Sequence, residues 1–422
     1  MSKERNDERE FAAFIGIDWA DGEHEICVKS SEGGPVEHLQ VKQTPEALSE
    51  WALGLSARFG GRKIAVAVEQ RKGPLIYALM NYEWLVIYPV NPKSLSSFRD
   101  VFSVSGAKND PTDAELALEM LCSHRNKLRA WEPESEQTRL LGMLTCERRQ
   151  VVDEVTRLTN RLGSTLKEYY PQALDLFGDL DSRMAMDFLT TWPTINDLKR
   201  ARPATIEKFY QQHGVRNKEL IKQRLETIRA AIPLTRDRAV VTALMMKMMT
   251  TVAQLRVLIK AIAEFNDEIE KLFQEHPDQD LFKSFPSAGP ALAPRLASAF
   301  GTDRERWHSA AEIQTFTGIA PVTQSSGKSR IVKKRLACPR FLRQTFMEYA
   351  AQSVKKSRWA RCYYKAMRAK GVKHHAALRA LAYKWIRIMY KCWKERVHYS
   401  EETYQAALMR SGSPLVSRLV SD

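Results

Sequence analysis

Two short apolar runs each end on an acid, and this pattern constrains the fold more than any other feature of the chain. Phe14-Ile15-Gly16-Ile17 stops at Asp18, and Ile64-Ala65-Val66-Ala67-Val68 stops at Glu69. A run this short and this apolar reads as a strand buried on both faces, which requires a sheet with helices packed on either side. An unpaired carboxylate is costly inside such a sheet, so each acid marks a strand end. In open α/β sheets the carboxyl ends of strands are where functional groups gather.

The surrounding pattern extends the sheet. Runs at 14–17, 24–29 and 36–42 read as an antiparallel meander, punctuated by Asp21-Gly22 and Gly33-Gly34-Pro35. Thr44 as N-cap and Pro45 at the first position open a helix to about 59. There follow a strand at 63–69, a helix near 74–82, a strand at 85–90, a helix near 92–101 and a helix carrying Asp113. The order βββαβαβα predicts a mixed sheet whose later strands run parallel. If the strands ending in Asp18 and Glu69 are neighbours, the two acids face each other across one edge.

Two more acids stand in Lys108-Asn109-Asp110-Pro111-Thr112-Asp113-Ala114. Positions i and i+3 share a helix face, so Asp110 and Asp113 can point at one spot, and Pro111 suits a first turn. Capping and the helix dipole favour Asp at the same place. Asp18 can likewise cap a turn, and Glu69 can pair with Arg71 or Lys72. Taken together, four such acids repel one another unless a cation holds them, and hard divalent ions take all-oxygen ligands. The expected cofactor is Mg²⁺, with Mn²⁺ as alternative, and the implied chemistry is two-metal phosphoryl transfer.

Beyond residue 133 the pattern becomes helical. In the stretch 236–276, Val241, Leu244, Met248, Thr251, Leu255, Leu258, Ile262, Phe265, Ile269 and Leu272 alternate in steps of three and four, a heptad seam with one polar member. A looser seam runs through 134–178. The two helices are expected to pair with each other or across a dimer, as a coiled coil or as a plain bundle core. A small helical insertion is expected at 192–218. The turn Phe285-Pro286-Ser287-Ala288-Gly289-Pro290 before an Ala-rich helix resembles a helix-hairpin-helix, whose N–H groups can face a phosphate; an ordinary helical corner reads similarly.

The net charge is +15, and its placement is more informative than its size. From Lys328 to Arg396, 21 Lys or Arg stand against Glu348 and Glu395 alone, so the remainder of the chain is mildly acidic. Such a stretch calls for a polyanion, with Lys328, Arg330, Lys333, Lys334, Arg335, Arg340 and Arg343 as candidate nucleic-acid contacts. Its interleaved aromatics could stack on bases, although Tyr383, Ile386 and Tyr390 fall at core-helix spacing. Ser325-Ser326-Gly327 leads into this region and reads as a flexible loop. No His or Asp stands beside the serines to activate one.

Residues 1–10 lack the apolar core of a secretory leader, and Lys247 interrupts the Met-rich stretch, so no membrane span is expected. The six cysteines form no CxxC pair and no zinc-spaced cluster. The expectation is a cytoplasmic, nucleoid-associated bacterial protein.

Taken together, Gly16-Ile17-Asp18, the strand ending in Glu69, Lys108-x-Asp110-x-x-Asp113-Ala114 and Gly318-Ile319-x-Pro321 with Ser326-Gly327 resemble the insertion-sequence transposases of the "one-ten" type. That family is similar to the Piv-type DNA invertases and includes bridge-RNA-guided recombinases. The resemblance covers most of the chain. It implies α/β plus all-α architecture: a RuvC-like (RNase H-like) mixed-sheet domain at 11–130, a long coiled-coil middle at 131–276, a helical C-terminal transposase domain at 277–400 and a tail at 401–422. It makes Asp18, Glu69, Asp110 and Asp113 the DEDD acids. Ser326, preferred to Ser325 because a glycine follows it, becomes the nucleophile that forms a transient phosphoserine link to DNA. The partners implied are donor and target DNA, a structured bridge RNA, and further copies of the chain as dimer or tetramer. Gln70-Arg71-Lys72-Gly73 after Glu69, Asn109, and the Pro-Ser-Ala-Gly-Pro turn depart from the family pattern. Two other readings compete: a RuvC-like junction-resolving endonuclease using water, and a non-catalytic nucleic-acid-binding protein.

Overall fold

A computed structural model of the chain describes residues 10–69, 73–102, 110–327 and 329–415. It divides into two units, Met1–Pro133 and Glu134–Asp422.

The first unit is built as the apolar runs require. Strands β1 (Ala13–Asp18), β2 (Glu23–Ser30) and β3 (Glu37–Lys42) are followed by helix α1 (Pro45–Arg58), β4 (Ile64–Val68), α2 (Pro74–Leu79), β5 (Leu85–Pro89), α3 (Pro92–Phe102) and α4 (Asp110–His124). Thr44 caps α1, its hydroxyl accepting from the Ala47 N–H, with Pro45 in the first turn. The sheet order is β3-β2-β1-β4-β5. The pairs β1–β2 and β2–β3 are antiparallel, and β1–β4 and β4–β5 are parallel. Strand β4 lies between β1 and β5 with all five residues buried. Side-chain alternation sorts the two faces. Ile15, Ile17, Val66 and Val68 pack with Leu48 and Ala52 of α1 and with Leu75 and Ile76 of α2. Phe14, Ala65 and Ala67 pack with Ala114, Ala117 and Leu121 of α4.

The second unit is mostly helical. It contains α5 (Glu136–Tyr169), five shorter helices α6 (Gln172–Leu176), α7 (Arg183–Thr191), α8 (Ile195–Arg200), α9 (Pro203–Gln212) and α10 (Lys218–Ala230), and the long α11 (Arg238–Gln274). Helices α5 and α11 run antiparallel, since Arg148 bonds to Asn266 while Gln137 reaches Glu275. The α11 seam is turned inward: Met248, Thr251, Leu255 and Ile269 are buried. The insertion is larger than the expected 192–218, because the chain from α6 to α10 packs Phe188, Leu189, Trp192 and Tyr210 into one core with Leu158 and Leu162 of α5 and Met248 and Leu255 of α11. By length and composition alone α11 is apolar enough to cross a membrane, a property that the sequence expectation discounted at Lys247.

There follow α12 (Gln279–Lys283), α13 (Ala293–Phe300), α14 (Ala310–Phe316), the hairpin β6 (Val322–Ser326) and β7 (Ser329–Lys333), and helices α15 (Arg340–Lys356), α16 (Arg358–Ala369), α17 (His374–Glu395) and α18 (Glu401–Arg410). The hairpin corrects one expectation, a flexible Ser-Ser-Gly loop, and adds two short strands to a C-terminal region that is otherwise helical as expected. Val322 pairs with Lys333, and Ser326 with Ser329. The β-branched Val322 and Thr323 of β6 and Ile331 and Val332 of β7 favour the extended backbone of that pairing. The aromatics are also sorted: Phe346, Tyr349, Trp359, Trp385 and Trp393 are fully buried core, whereas Tyr383 is exposed.

Candidate active site and nucleic-acid interface

The parallel register of β1 and β4 places two acids side by side. Ile17 lies opposite Val68, so Asp18 and Glu69, one residue on, stand level at the carboxyl ends of adjacent strands. Parallel neighbours are about 4.8 Å apart. Both residues are half-buried. By alternation Asp18 shares the face of Phe14 and Gly16, and Glu69 continues the face of Ala65 and Ala67. That is the face covered by α4.

Helix α4 lies against β1 because Gly16 leaves room for it. A Cβ at Gly16 would fall 2.1 Å from the Ala114 carbonyl oxygen and 2.5 Å from the Leu118 nitrogen. A glycine inside a strand is the sequence sign of such close backbone approach. Asp113, next to Ala114, is thereby carried to the same face, and it is buried. Its carboxylate forms an ion pair with Arg99 of α3, a partner that sequence reasoning did not single out. Helix α4 begins at Asp110, where a helix start was expected. The Asp110 side chain, together with Lys108, Asn109, Arg71 and Lys72, lies outside the described residues.

Carboxylate oxygens are the donors that hard divalent cations take, and the acids share one sheet edge and one face, so the donor set fits such an ion. Among the described residues, however, no three His, Cys, Asp or Glu side chains gather closely enough to hold one. Asp18, Glu69 and Asp113 are thus brought to a common region without being drawn into one cluster, and Arg99 holds Asp113 in its present place.

In the second unit, Ser325 and Ser326 end β6 and are both exposed. Gly327 follows in the left-handed region at φ 55°. Successive strand residues project to opposite faces, so only one of the two serines can point at a given partner. Lys333, Lys334 and Arg340 are exposed, and Arg335 and Arg343 half-buried. Lys328 and the Arg330 side chain lie outside the described residues. Arg343 acts locally, its Nη1 donating to the Arg335 carbonyl at 3.2 Å and to Cys338 Sγ at 3.3 Å, which closes the loop after the hairpin. In the Pro286–Pro290 turn, Ser287 takes a positive φ of 65°. Ala288 donates its N–H to Phe285, and Leu292 and Ala293 donate theirs to Gly289, so these amides are used within the turn.

Two family models match this chain. A DEDD transposase model of the IS110 type, described as "Transposase", matches 15–171. The model described as "Transposase IS116/IS110/IS902 family" matches 279–365. Among curated relatives, a Streptomyces coelicolor protein named as candidate transposase of the IS117 mini-circle is 27% identical, over 96% of this chain and 100% of its own length. The candidate transposase y4uE of Sinorhizobium fredii is 30% identical over 48% of this chain and 57% of its own length. The 43.6 kDa protein of the IS110 insertion element of Streptomyces coelicolor is 22% identical over 93% of this chain and 96% of its own length. The sheet with its acid-ended strands falls within the first matched segment and the serine hairpin within the second, and the chain belongs to the IS110 family of transposases.

Proposed function

We propose that the protein cuts and rejoins DNA strands for insertion and excision of a mobile element, using the DEDD acids and a serine nucleophile. The observation that carries this reading is the level placement of Asp18 and Glu69 on adjacent strand ends, on the face where α4 carries Asp113. Three parallel strands, β1, β4 and β5, extended on one side by the antiparallel meander, support a RuvC-like (RNase H-like) catalytic domain at 11–130. The antiparallel α5–α11 pair supports a coiled-coil middle at 131–276, and the serine hairpin with its basic surroundings supports a transposase domain at 277–400, with a tail at 401–422.

In this reading Asp18, Glu69, Asp110 and Asp113 hold Mg²⁺, or Mn²⁺ in its place. The bound metal supplies polarisation of the scissile phosphate and neutralises charge on the leaving oxygen. Ser326 Oγ attacks phosphorus: an Oγ–P bond forms, the bond from phosphorus to the leaving sugar oxygen breaks, and that oxygen takes a proton as the serine gives one up. Attack by another strand's hydroxyl reverses the exchange, rejoins the DNA and frees the serine. Lys333, Lys334 and Arg340, exposed around the hairpin, and Lys328, Arg330, Arg335 and Arg343 bind the nucleic-acid backbone. A structured bridge RNA guides target choice, and the acids of one subunit act with the Ser326 of another in a dimer or tetramer.

Trapping of covalent protein–DNA adducts tests the chemistry. Ser326→Ala is expected to abolish adducts and strand exchange, while Ser325→Ala retains both. Adducts at wild-type level in Ser326→Ala would sink the serine assignment. Cleavage without any adduct in the wild type, undiminished in Ser326→Ala, would instead favour a water-using junction resolvase. Sequencing of RNA that co-purifies with the protein tests the guide.

A further inference from the structure

In the second unit a cavity of about 270 Å³ opens between α5, α11, the end of α12 and the start of α13. Three cations line it, Arg148, Lys283 and Arg295, against one acid, Glu270. They come from three separate elements, α5, α12 and α13. Lys283 stands at the mouth, with Nζ 5.7 Å from the Phe273 ring centre. Arg148 is held at its Nε by Asn266 Oδ1 at 2.5 Å, its one hydrogen bond among the described residues.

Arg295 is the informative member. It is only 4% exposed. Its Nε donates to Thr345 Oγ1 at 3.0 Å and its Nη1 to Glu348 at 2.6 Å, while Phe341 lies beneath the guanidinium. The buried Nη2 has no hydrogen-bond partner among the described residues. Glu348 does not neutralise the group by itself, because its other oxygen is shared with Arg149 at 3.0 Å. A buried cationic N–H left unused is costly, and neighbouring like charges add to the cost. Burial first, and then Arg295 and Arg149, disfavour the Arg148 cation. The Arg295 Nη2 has almost no surface open to the cavity, so an anion there would ease the like-charge repulsion around Arg148 rather than bond to Arg295.

We propose that this cavity binds a phosphate group, held by Arg148 and Lys283 in the positive field of the buried Arg295, and carried either by a nucleic-acid strand or by a free phosphate compound. Two cationic side chains from different elements, with a third charge buried behind them, suit a multiply charged phosphate better than a carboxylate, which one guanidinium fork satisfies. The space is ample, since a water occupies about 30 Å³. The Pro286–Pro290 turn beside the cavity spends the N–H groups of Ala288, Leu292 and Ala293 internally, so recognition falls to these side chains. The site is distinct from the serine hairpin and its basic residues.

Calorimetric titration of the full chain with sodium pyrophosphate, at ionic strength matched with sodium chloride, tests the proposal. A single saturable site is expected, with Kd at least tenfold weaker in Arg148→Gln and in Lys283→Gln. Both side chains reach solvent, so their unfolding midpoints without ligand should match wild type. No saturable binding to the wild type, or an unchanged Kd in both variants, overturns the site. A second arm identifies the source. If the phosphate belongs to a nucleic-acid backbone, Lys283→Gln lowers the slope of log K against log salt for a duplex oligonucleotide by about one. If pyrophosphate binding is lost while oligonucleotide binding is untouched, the ligand is a free phosphate compound. Ser326→Ala should leave both readouts unchanged, so failure of the proposed cutting chemistry is separable from failure of this site.

Discussion

Gly16 and Ala114 touch backbone to backbone: any side chain at Gly16 would drive its Cβ to 2.1 Å from the Ala114 carbonyl oxygen. The contact fixes how closely α4 lies on β1, and with it the reach of Asp113 toward the strand ends. Gly16→Ala should therefore destabilise the first unit by at least the ~1–3 kcal/mol typical of overpacking, since the obstacle is backbone and cannot rotate away. Urea unfolding followed by a probe in that unit measures it. An unchanged midpoint would show that α4 can lift off at no cost.

Arg99 and Asp113 form the ion pair nearest the proposed metal site, with side chains 17% and 5% exposed. Removing one member of a buried pair costs up to about 3–5 kcal/mol, and less here because Asp113 keeps a further interaction. Arg99→Gln should lower the unfolding midpoint, and Mg²⁺ should restore more of it than it adds to wild type, the cation compensating the charge that Arg99 no longer balances. Equal Mg²⁺ shifts in the two proteins would remove Asp113 from the metal site.

Gly318 precedes the serine hairpin at φ 71°, and a Cβ there would fall 2.2 Å from Cys338 Sγ. Gly318→Ala meets two penalties, a left-handed backbone worth about 1–2 kcal/mol and a clash with the thiol. The double variant with Cys338→Ala should recover most of the second, since only the Cys338 Cβ at 2.8 Å remains, and retain the first. A double-mutant cycle by thermal unfolding separates them, and strict additivity would mean the thiol is not the obstacle.

His24 and His276 are buried, and burial is the main cause holding both below the usual histidine range. Each is therefore neutral in the folded chain at pH values where the unfolded chain, titrating near 6.5, already binds a proton. More protons on the unfolded state means that stability rises with pH through this window. Stability should be fully present above about pH 6.5 and decline as pH falls below it, with His24 acting in the first unit and His276 in the second. Unfolding midpoints at about pH 7.5 and 5.5 measure the loss, and His276→Asn should flatten the dependence for the second unit. A midpoint that rises on acidification would contradict the assignment.

Much of the candidate site was legible because local physics wrote it. The acids after Ile17 and Val68 stand where an apolar strand must end, and Thr44-Pro45 and Asp110-Pro111 mark helix starts by capping geometry. The seam of α11 follows from periodicity, and the concentration of positive charge between Lys328 and Arg396 from plain charge counting. Arg99 left no such signal, because nothing near it in sequence announces a partner fourteen positions on. The same holds for Arg295, whose charge is set near Arg148 only by the packing of α13 on α5.

By itself, then, the sequence determined the strands, their acidic ends, the long helices and the location of the positive charge, all properties of residues within a turn or two of one another. Only the tertiary structure decided that β1 and β4 are parallel neighbours in a register that levels Asp18 with Glu69, and that Gly16 admits α4. It also decided that Ser326 rides on a hairpin and that Trp359, Trp385 and Trp393 are core. Each of these depends on contacts between distant segments, whose worth is set by fit and burial in the assembled unit and is invisible in local pattern.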